Sequence, residues 1–239
     1  MGTAKTLHNK KWLLPSLGNM ELYEDKLVSP RFQTFLKESA TNAILFNYPG
    51  VGSSFGTPCS ATAVKAYQAV LSFLENEEQG IGAKEITGYG FSLGGGVQGE
   101  SLKTHPLQKG LDKGIRYVFI KDRTFSNLEK VAKSFAGFLG SAVSYFGWTL
   151  DSIESSKKLA HLGISEIIIQ ATNKDGTPVS DGVISADASL KKSIYKLALP
   201  NKAYMDLIDE NPKKAHNIAI DPTRLSNSIQ NFNLTNNFI

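Results

Sequence analysis

The stretch EITGYGFSLGGGVQGESL, residues 85–102, decides the fold because it places Ser92 between two different kinds of local structure. The β-rich run at 85–91 predicts a buried strand, and the glycine-rich run after Ser92 predicts the first turns of a helix. Residues 90–94, GFSLG, match the pattern G-x-S-x-G, in which a sharp strand-to-helix turn exposes a serine hydroxyl. Glycines flank such a turn because larger side chains would collide with the neighbouring strand and helix.

Two other interpretations of this stretch have to be weighed. The glycines could form a flexible loop, or the start of the helix could bind a phosphate through its free backbone amides. A Walker-type phosphate site needs Gly-Lys-Ser/Thr, which does not follow here, and the dinucleotide pattern breaks off after its first two glycines. The strand-turn-helix context therefore favours a nucleophilic serine, with an anion-binding module as the third-ranked reading.

Outside this stretch, short apolar runs alternate with segments of helical period. The predicted strands are KWLLPSLG (11–18), NAILFNYPG (42–50), EITGYGF (85–91), IRYVFIKDR (115–123), SEIIIQAT (165–172) and KAYMDLID (202–209). The predicted helices lie in 31–40, 62–80, 93–105, 126–148, 181–198 and 223–239. This alternation predicts an α/β fold with a mostly parallel sheet. Because no repeat and no Pro-, Gly- or Ser-rich linker divides the chain, we expect one domain over residues 1–239.

The composition excludes several classes of function. The 239 residues are 41% apolar and 20% charged, and the net charge of +4 comes from scattered lysines, which are typical of solvated helix surfaces rather than of a nucleic-acid-binding stripe. No apolar run approaches the ~20 residues of a transmembrane helix. The single cysteine, Cys59, rules out an internal disulfide and is expected at a helix start. No His, Cys or Asp cluster has ligand spacing, so we expect no metal and no cofactor.

A nucleophilic serine needs a general base, and the sequence contains four histidines. His216 follows the last predicted strand, at the carboxyl edge of the sheet where ligands meet open α/β sheets. His8 precedes the predicted strands, His105 lies at the far end of the helix that starts at Ser92, and His161 precedes a strand and so lies at its opposite end. His216 is therefore the candidate base, although a surface-loop histidine is the simpler reading of that position.

The acid that orients the base is expected after the strand SEIIIQAT, where three aspartates compete. Asp187 belongs with the following helix, and Asp175, in NKDGTP, is typical of an Asp-Gly turn. Asp181 precedes the apolar pair Val183-Ile184, which could anchor its loop against the core. We select Asp181 and keep Asp175 in reserve. The resulting order Ser-Asp-His is the chain order of α/β-hydrolases.

Several motifs in a fixed order carry a resemblance to a known family. They are NYPGVGSSFGTP, YGFSLGGGVQGESLKTH, DRTFSNLEKVA, GWTLDS, EIIIQATN and DGVIS. From about Trp12 to His216 the sequence closely resembles the CHLPS-type proteins of obligate and facultative intracellular bacteria, and SidB-like effectors are similar in type. More distantly it resembles BEM46-type serine hydrolases, relatives of protein depalmitoylases. The resemblance implies an α/β-hydrolase fold, a mostly parallel sheet with helices on both faces.

The resemblance also implies an oxyanion hole made of backbone amides. In such hydrolases an early strand ends in His-Gly-Asn, and here Leu17-Gly18-Asn19 stands in its place. The amide of Leu17 or Gly18 is then expected to act with that of Leu93. Hydrolase sheets usually begin with an antiparallel hairpin, but only residues 1–10 precede the first predicted strand. The N-terminal strands are therefore missing or truncated, or the chain is the C-terminal part of a longer protein.

The expected function is an esterase-like serine hydrolase with Ser92 as nucleophile, His216 as base and Asp181 as acid. Its substrate would be a small-molecule or lipid-like ester or thioester, and an acylated protein is a second candidate by analogy. Residues 135–148, FAGFLGSAVSYFGW, form either a cap over the site or a buried helix. The alternative function is an inactive hydrolase-fold binding or effector module. The resemblance implies a cytoplasmic protein, or one secreted into a host cell if it is an effector.

Overall fold

A computed structural model describes residues 6–134, 149–208 and 211–236. Its central feature is a six-stranded sheet in which every neighbouring pair of strands is parallel. The strands are β1 (Lys11–Ser16), β2 (Asn42–Ala43), β3 (Glu85–Phe91), β4 (Arg116–Asp122), β5 (Ser165–Thr172) and β6 (Lys202–Ile208). Their spatial order is β2-β1-β3-β4-β5-β6, so Ser92 follows a strand near the middle of the sheet.

Helices cover both faces of this sheet, as predicted. They are α1 (Tyr23–Val28), α2 (Pro30–Glu38), α3 (Ser60–Glu75), α4 (Leu93–Thr104), α5 (Leu107–Asp112), α6 (Leu128–Ser134), α7 (Ile153–His161), α8 (Leu190–Tyr195) and α9 (Pro222–Asn236). One apolar core joins the sheet to α3, α4 and α7, and a second core on the opposite face joins it to α2 and α9. Within the described residues, no helix combines the length and apolar character needed to cross a lipid bilayer.

Buried strands account for the most accurate predictions. All eight residues of β5 are buried, because helices cover both of its faces, and three consecutive isoleucines, residues 167–169, form the apolar centre of its sequence. The strand predicted over residues 85–91 has the same limits in the structure. The prediction that Cys59 stands at a helix start is also confirmed, because Cys59 is the N-cap residue of α3.

The strand predicted over residues 42–50 was too long. Only Asn42 and Ala43 pair with β1, and β2 is the edge of the sheet. Beyond β2, the side chains of Phe46 and Tyr48 pack against the core on the α3 face. A short edge strand offers few unpaired backbone groups to other chains.

The helices α1, α5 and α7 were not predicted, and residues 135–148, predicted as a cap or a buried helix, lie outside the described residues.

Glycines allow α4 to approach the sheet at the Ser92 turn. A Cβ atom built on Gly94 would lie 1.9 Å from the carbonyl oxygen of Ser16 in β1, and one on Gly90 would lie 2.6 Å from the Cα of Gly95. Both neighbours are backbone atoms, which cannot move aside by changing rotamer. The turn is therefore close-packed on both sides, and the interpretation as a flexible loop is wrong.

We predict that Gly94→Ala lowers the free energy of unfolding by about 3 kcal/mol, because the added methyl group overpacks a backbone contact. Gly114→Ala is the matched control. Gly114 has a φ of +75° but no atom within 4 Å of a built Cβ, so only backbone strain of about 1 kcal/mol is expected there. Urea unfolding of both variants measures the difference. Equal losses in the two variants would show that close packing at Gly94 is unimportant.

Candidate active site

Ser92 occupies the strained turn between β3 and α4, with φ 50° and ψ −118°. Its backbone is held at both polar atoms: the amide donates to the carbonyl oxygen of Asp122 at 2.9 Å, and the carbonyl accepts from the Thr124 hydroxyl at 2.7 Å. The Ser92 hydroxyl does not cap α4. Instead it lies 3.0 Å from Nε2 of His216.

His216 lies in the 3₁₀ turn Pro212–Asn217 that follows β6. Its side chain is buried, and its backbone amide donates to the carbonyl oxygen of Asp181 at 2.9 Å. Nδ1 lies 2.9 Å from Oδ2 of Asp181. A carboxylate at Nδ1 favours the tautomer with the proton on that nitrogen, so Nε2 is free to accept the hydroxyl proton of Ser92.

Asp181 is fully buried in the loop between β5 and α8. Its Oδ1 accepts hydrogen bonds from the amides of Val183 at 3.0 Å and Ile184 at 2.7 Å, which leaves Oδ2 directed to His216. These contacts fix the carboxylate independently of the histidine. Asp175, the reserve candidate, lies in an exposed turn and accepts from the Thr177 amide at 2.8 Å.

The remaining histidines lie elsewhere. His105 is buried, and its Nε2 is 2.9 Å from a carboxylate oxygen of Glu75. His8 and His161 are exposed. The structure therefore brings together Ser92, His216 and Asp181 from three loops at the carboxyl edge of the sheet, the edge at which open parallel sheets bind ligands.

The predicted oxyanion donors surround the same turn. Leu93 is the first residue of α4, where a backbone amide has no acceptor within the helix. Leu17 immediately follows β1, and its carbonyl accepts the buried Tyr48 hydroxyl at 3.1 Å. The Gly18 amide is already engaged, because it donates to Oε2 of Glu21 at 2.7 Å.

A cavity of about 320 Å³ lies beside the histidine, between the loop after β1, helix α2 and helix α9. Leu17, Phe91 and His216 form the wall nearest to the Ser92 turn. The rest of the lining combines apolar side chains with charged ones: the first include Leu13, Phe32, Phe35, Ile220 and Leu225, and the second are Glu21, Lys26, Arg31 and Arg123. This volume falls in the range of small-molecule pockets, and the apolar part of the lining suits a hydrocarbon group.

Sequence reasoning missed the segment Asp122-Arg123-Thr124, which begins at the last residue of β4. Arg123 is buried, with only 4% of its surface exposed, and it donates to the carbonyl oxygen of His216 at 3.0 Å. The sequence feature that could have identified it is the position of three polar residues at the end of a strand, in the motif DRTFSNLEKVA.

In the described ranges, no group of three His, Cys, Asp or Glu residues could hold a metal ion.

The comparison with protein families assigns the chain to one family. Residues 3–229 match the family of the Chlamydia CHLPS protein (DUF818). The chain belongs to this family. No protein in the search of curated proteins matches it significantly.

Solved structures similar to this CHLPS-family chain are α/β-hydrolases. An esterase of Pyrococcus furiosus matches with a TM-score of 0.63 at 16% identity, covering 96% of this chain and 83% of the esterase. An α/β-hydrolase of Vibrio vulnificus matches with a TM-score of 0.60 at 14% identity, covering 95% and 74%. A lipase-esterase related protein of Clostridium acetobutylicum matches with a TM-score of 0.56 at 18% identity, covering 97% of each chain. The predicted α/β-hydrolase fold is confirmed.

Proposed function

We propose that this protein is a serine hydrolase that cleaves a carboxylic ester or thioester through an acyl-enzyme. One observation carries the proposal: the Ser92 hydroxyl lies 3.0 Å from Nε2 of His216, and Nδ1 of the same ring lies 2.9 Å from a carboxylate oxygen of Asp181. Nucleophile, base and orienting acid are thus connected by two hydrogen bonds. This is the arrangement that activates a serine hydroxyl in unrelated hydrolase folds.

In the proposed reaction, Nε2 of His216 accepts the hydroxyl proton while Oγ of Ser92 attacks the substrate carbonyl carbon. The tetrahedral intermediate collapses, and the imidazolium donates its proton to the leaving alcohol or thiol. Water then attacks the acyl-enzyme with the same imidazole as base and releases the acid. Asp181 orients the ring and stabilises the imidazolium, because its buried carboxylate keeps one oxygen on Nδ1.

The developing oxyanion is assigned to the backbone amides of Leu93 and Leu17. Leu93 contributes a free amide at the positive end of the α4 dipole. Of the two alternatives for the second donor, Leu17 is preferred, because the Gly18 amide is bound to the Glu21 carboxylate. Leu17 replaces the histidine that the family resemblance implies, but a backbone donor does not depend on the side chain.

The cavity beside His216 supports an apolar acyl or alcohol group in the substrate. Its lining includes Leu17 and Phe91, which adjoin the Ser92 turn in sequence or packing, and the apolar side chains of Phe35 and Leu225. We therefore propose a small-molecule or lipid-like ester as the substrate class. An acylated protein is the second candidate, supported only by the resemblance to BEM46-type hydrolases. The two alternatives for residues 135–148, a cap over the site and a buried helix, stay predictions.

The alternative function is an inactive hydrolase-fold module that acts by binding, as the resemblance to SidB-like effectors suggests. Two observations favour it: the apolar Leu17 in place of a polar residue, and the Glu21 carboxylate bonded to Gly18 beside the proposed oxyanion position. If the protein is an effector, we expect it to be exported into a host cell; if it is an enzyme of the bacterium, we expect it in the cytoplasm. Both locations come from the resemblance alone.

We predict that a fluorophosphonate probe labels the protein and that Ser92→Ala abolishes the labelling. The same substitution should lower the turnover of p-nitrophenyl esters ~10⁴-fold, because the remaining groups cannot form an acyl-enzyme. A series of esters from acetate to laurate, measured on both proteins, also tests the apolar cavity. Folded wild-type protein that is neither labelled nor active would reject the hydrolase and support the binding module.

We further predict that Asp181→Asn lowers kcat by about 10³- to 10⁴-fold, because an asparagine amide at Nδ1 favours the wrong tautomer of His216. Asp175→Asn is the matched control: Asp175 is exposed and bonded to its own turn, so kcat should stay within about twofold. Steady-state kinetics with one ester measures both. The reverse pattern would make Asp175 the acid.

A further inference from the structure

The segment Asp122-Arg123-Thr124 connects the two halves of the candidate site. On one side it holds the Ser92 turn: the Asp122 carbonyl accepts from the Ser92 amide at 2.9 Å, and the Thr124 hydroxyl donates to the Ser92 carbonyl at 2.7 Å. On the other side, the Arg123 side chain reaches the turn that carries His216. Serine and histidine, 124 residues apart in sequence, are thus attached to three consecutive residues.

The Arg123 guanidinium binds the backbone of the histidine turn. Nη1 donates to the carbonyl oxygens of Ala215 at 2.9 Å and His216 at 3.0 Å, and also to that of Ile218. The three acceptors surround the histidine on both sides along the chain. Nη1 has two N–H groups, which the three carbonyls share, while Nε and Nη2 of the same planar group bind Asp122; a lysine ammonium lacks donors placed for both tasks at once.

Asp122 fixes the other edge of the guanidinium. Its Oδ1 accepts from Nε of Arg123 at 2.7 Å and its Oδ2 from Nη2 at 2.8 Å, so the pair is bidentate. The Tyr89 hydroxyl also donates to Oδ2. Burial alone would lower the pKa of Arg123, but the hydrogen bonds and charge of Asp122 raise it above its ordinary value. The arginine therefore stays charged inside the protein.

The Phe91 ring lies between Arg123 and His216 and contacts both side chains. Its guanidinium carbon lies 5.0 Å from the centre of the Phe91 ring, and that ring lies 5.2 Å from the imidazole of His216. Arg123 itself has a φ of 42°, an unfavourable conformation for a residue with a side chain. Backbone strain of this kind persists only where surrounding contacts determine the conformation. Here the contacts include the hydrogen bonds from Arg123 to the carbonyl groups of the histidine turn.

We infer that Arg123 is the positioning residue that holds His216 within hydrogen-bonding distance of Ser92. This inference rests on the proposed function for its kinetic consequence, but its structural consequence can be measured without activity. Without the guanidinium, three carbonyl groups of the histidine turn lose a shared donor. The imidazole then moves away from the hydroxyl of Ser92, whose backbone Asp122 and Thr124 still hold in place.

The test uses Arg123→Met, Arg123→Lys and the control Lys121→Met in the full chain. Lys121 is a suitable control because it is a fully buried basic residue in β4, two residues before Arg123. Its contacts are Ser155, at 2.7 Å, and Glu166, at 2.8 Å, rather than the site. Thermal unfolding, ester kinetics and crystal structures are compared for all three variants and wild type.

For Arg123→Met we expect kcat to fall about 100-fold, the effect of misplacing a reacting group by roughly 1 Å, with KM within about threefold. The distance from Nε2 of His216 to Oγ of Ser92 should exceed about 3.5 Å in the crystal. Arg123→Lys should lose about tenfold in kcat, because it keeps the charge but not the donor geometry. Lys121→Met should lose stability while kcat per folded molecule stays within about twofold.

Wild-type kcat together with an unchanged His216–Ser92 distance in Arg123→Lys and Arg123→Met would overturn the inference. A loss of kcat in Lys121→Met as large as in Arg123→Met would also overturn it, since general destabilisation would then explain both. If Arg123→Met does not fold, the kcat and the His216–Ser92 distance of Arg123→Lys test the inference instead. If wild type has no esterase activity, the proposed function fails, and the crystallographic distance alone then supports or rejects the positioning role.

Discussion

The turn at Ser92 is the constraint on which the rest of the site depends. A φ of 50° is unfavourable for a residue with a side chain and costs on the order of 1–3 kcal/mol. The conformation persists because Asp122 and Thr124 bind the serine backbone at both polar atoms and because Gly90 and Gly94 let α4 lie against β1. Strain and close packing together hold the hydroxyl toward His216, where a relaxed turn would leave it free to rotate.

Around this turn, the parallel sheet brings distant parts of the chain to one edge. Because all six strands run in the same direction, the loops after β3, β4, β5 and β6 meet at the carboxyl edge. Ser92, Asp181 and His216 each lie on one of these loops, and Arg123 on another. The fold therefore supplies proximity, while buried hydrogen bonds supply the orientation that proton transfer requires.

Local patterns made much of this predictable from sequence. The strands β3 and β5 are short segments rich in β-branched and aromatic residues, and the glycines around Ser92 indicate both the turn and its packing. The location of His216 was predicted from topology, because it follows the last strand. The choice of Asp181 over Asp175 used one weak local signal, the apolar pair after it; its catalytic role, like that of Ser92 and His216, is still a proposal.

Other features depend on contacts that no local pattern contains. β2 is only two residues long, and Phe46 and Tyr48 beyond it pack on the core, a tertiary contact that the apolar run does not specify. The bond from Arg123 to the carbonyl of His216 joins residues 93 positions apart. The engagement of Gly18 by Glu21 is close in sequence, but it depends on a side-chain rotamer.

The most direct measurement of the central claim is intact-protein mass spectrometry after rapid acid quenching of a reaction with p-nitrophenyl acetate, followed by peptide mapping. We predict a transient mass increase of one acetyl group, about 42 Da, located on the peptide that contains Ser92, because an ester formed at Oγ is the intermediate of this mechanism. Folded protein that gains no acetyl group, or gains it only on lysines, would contradict the account.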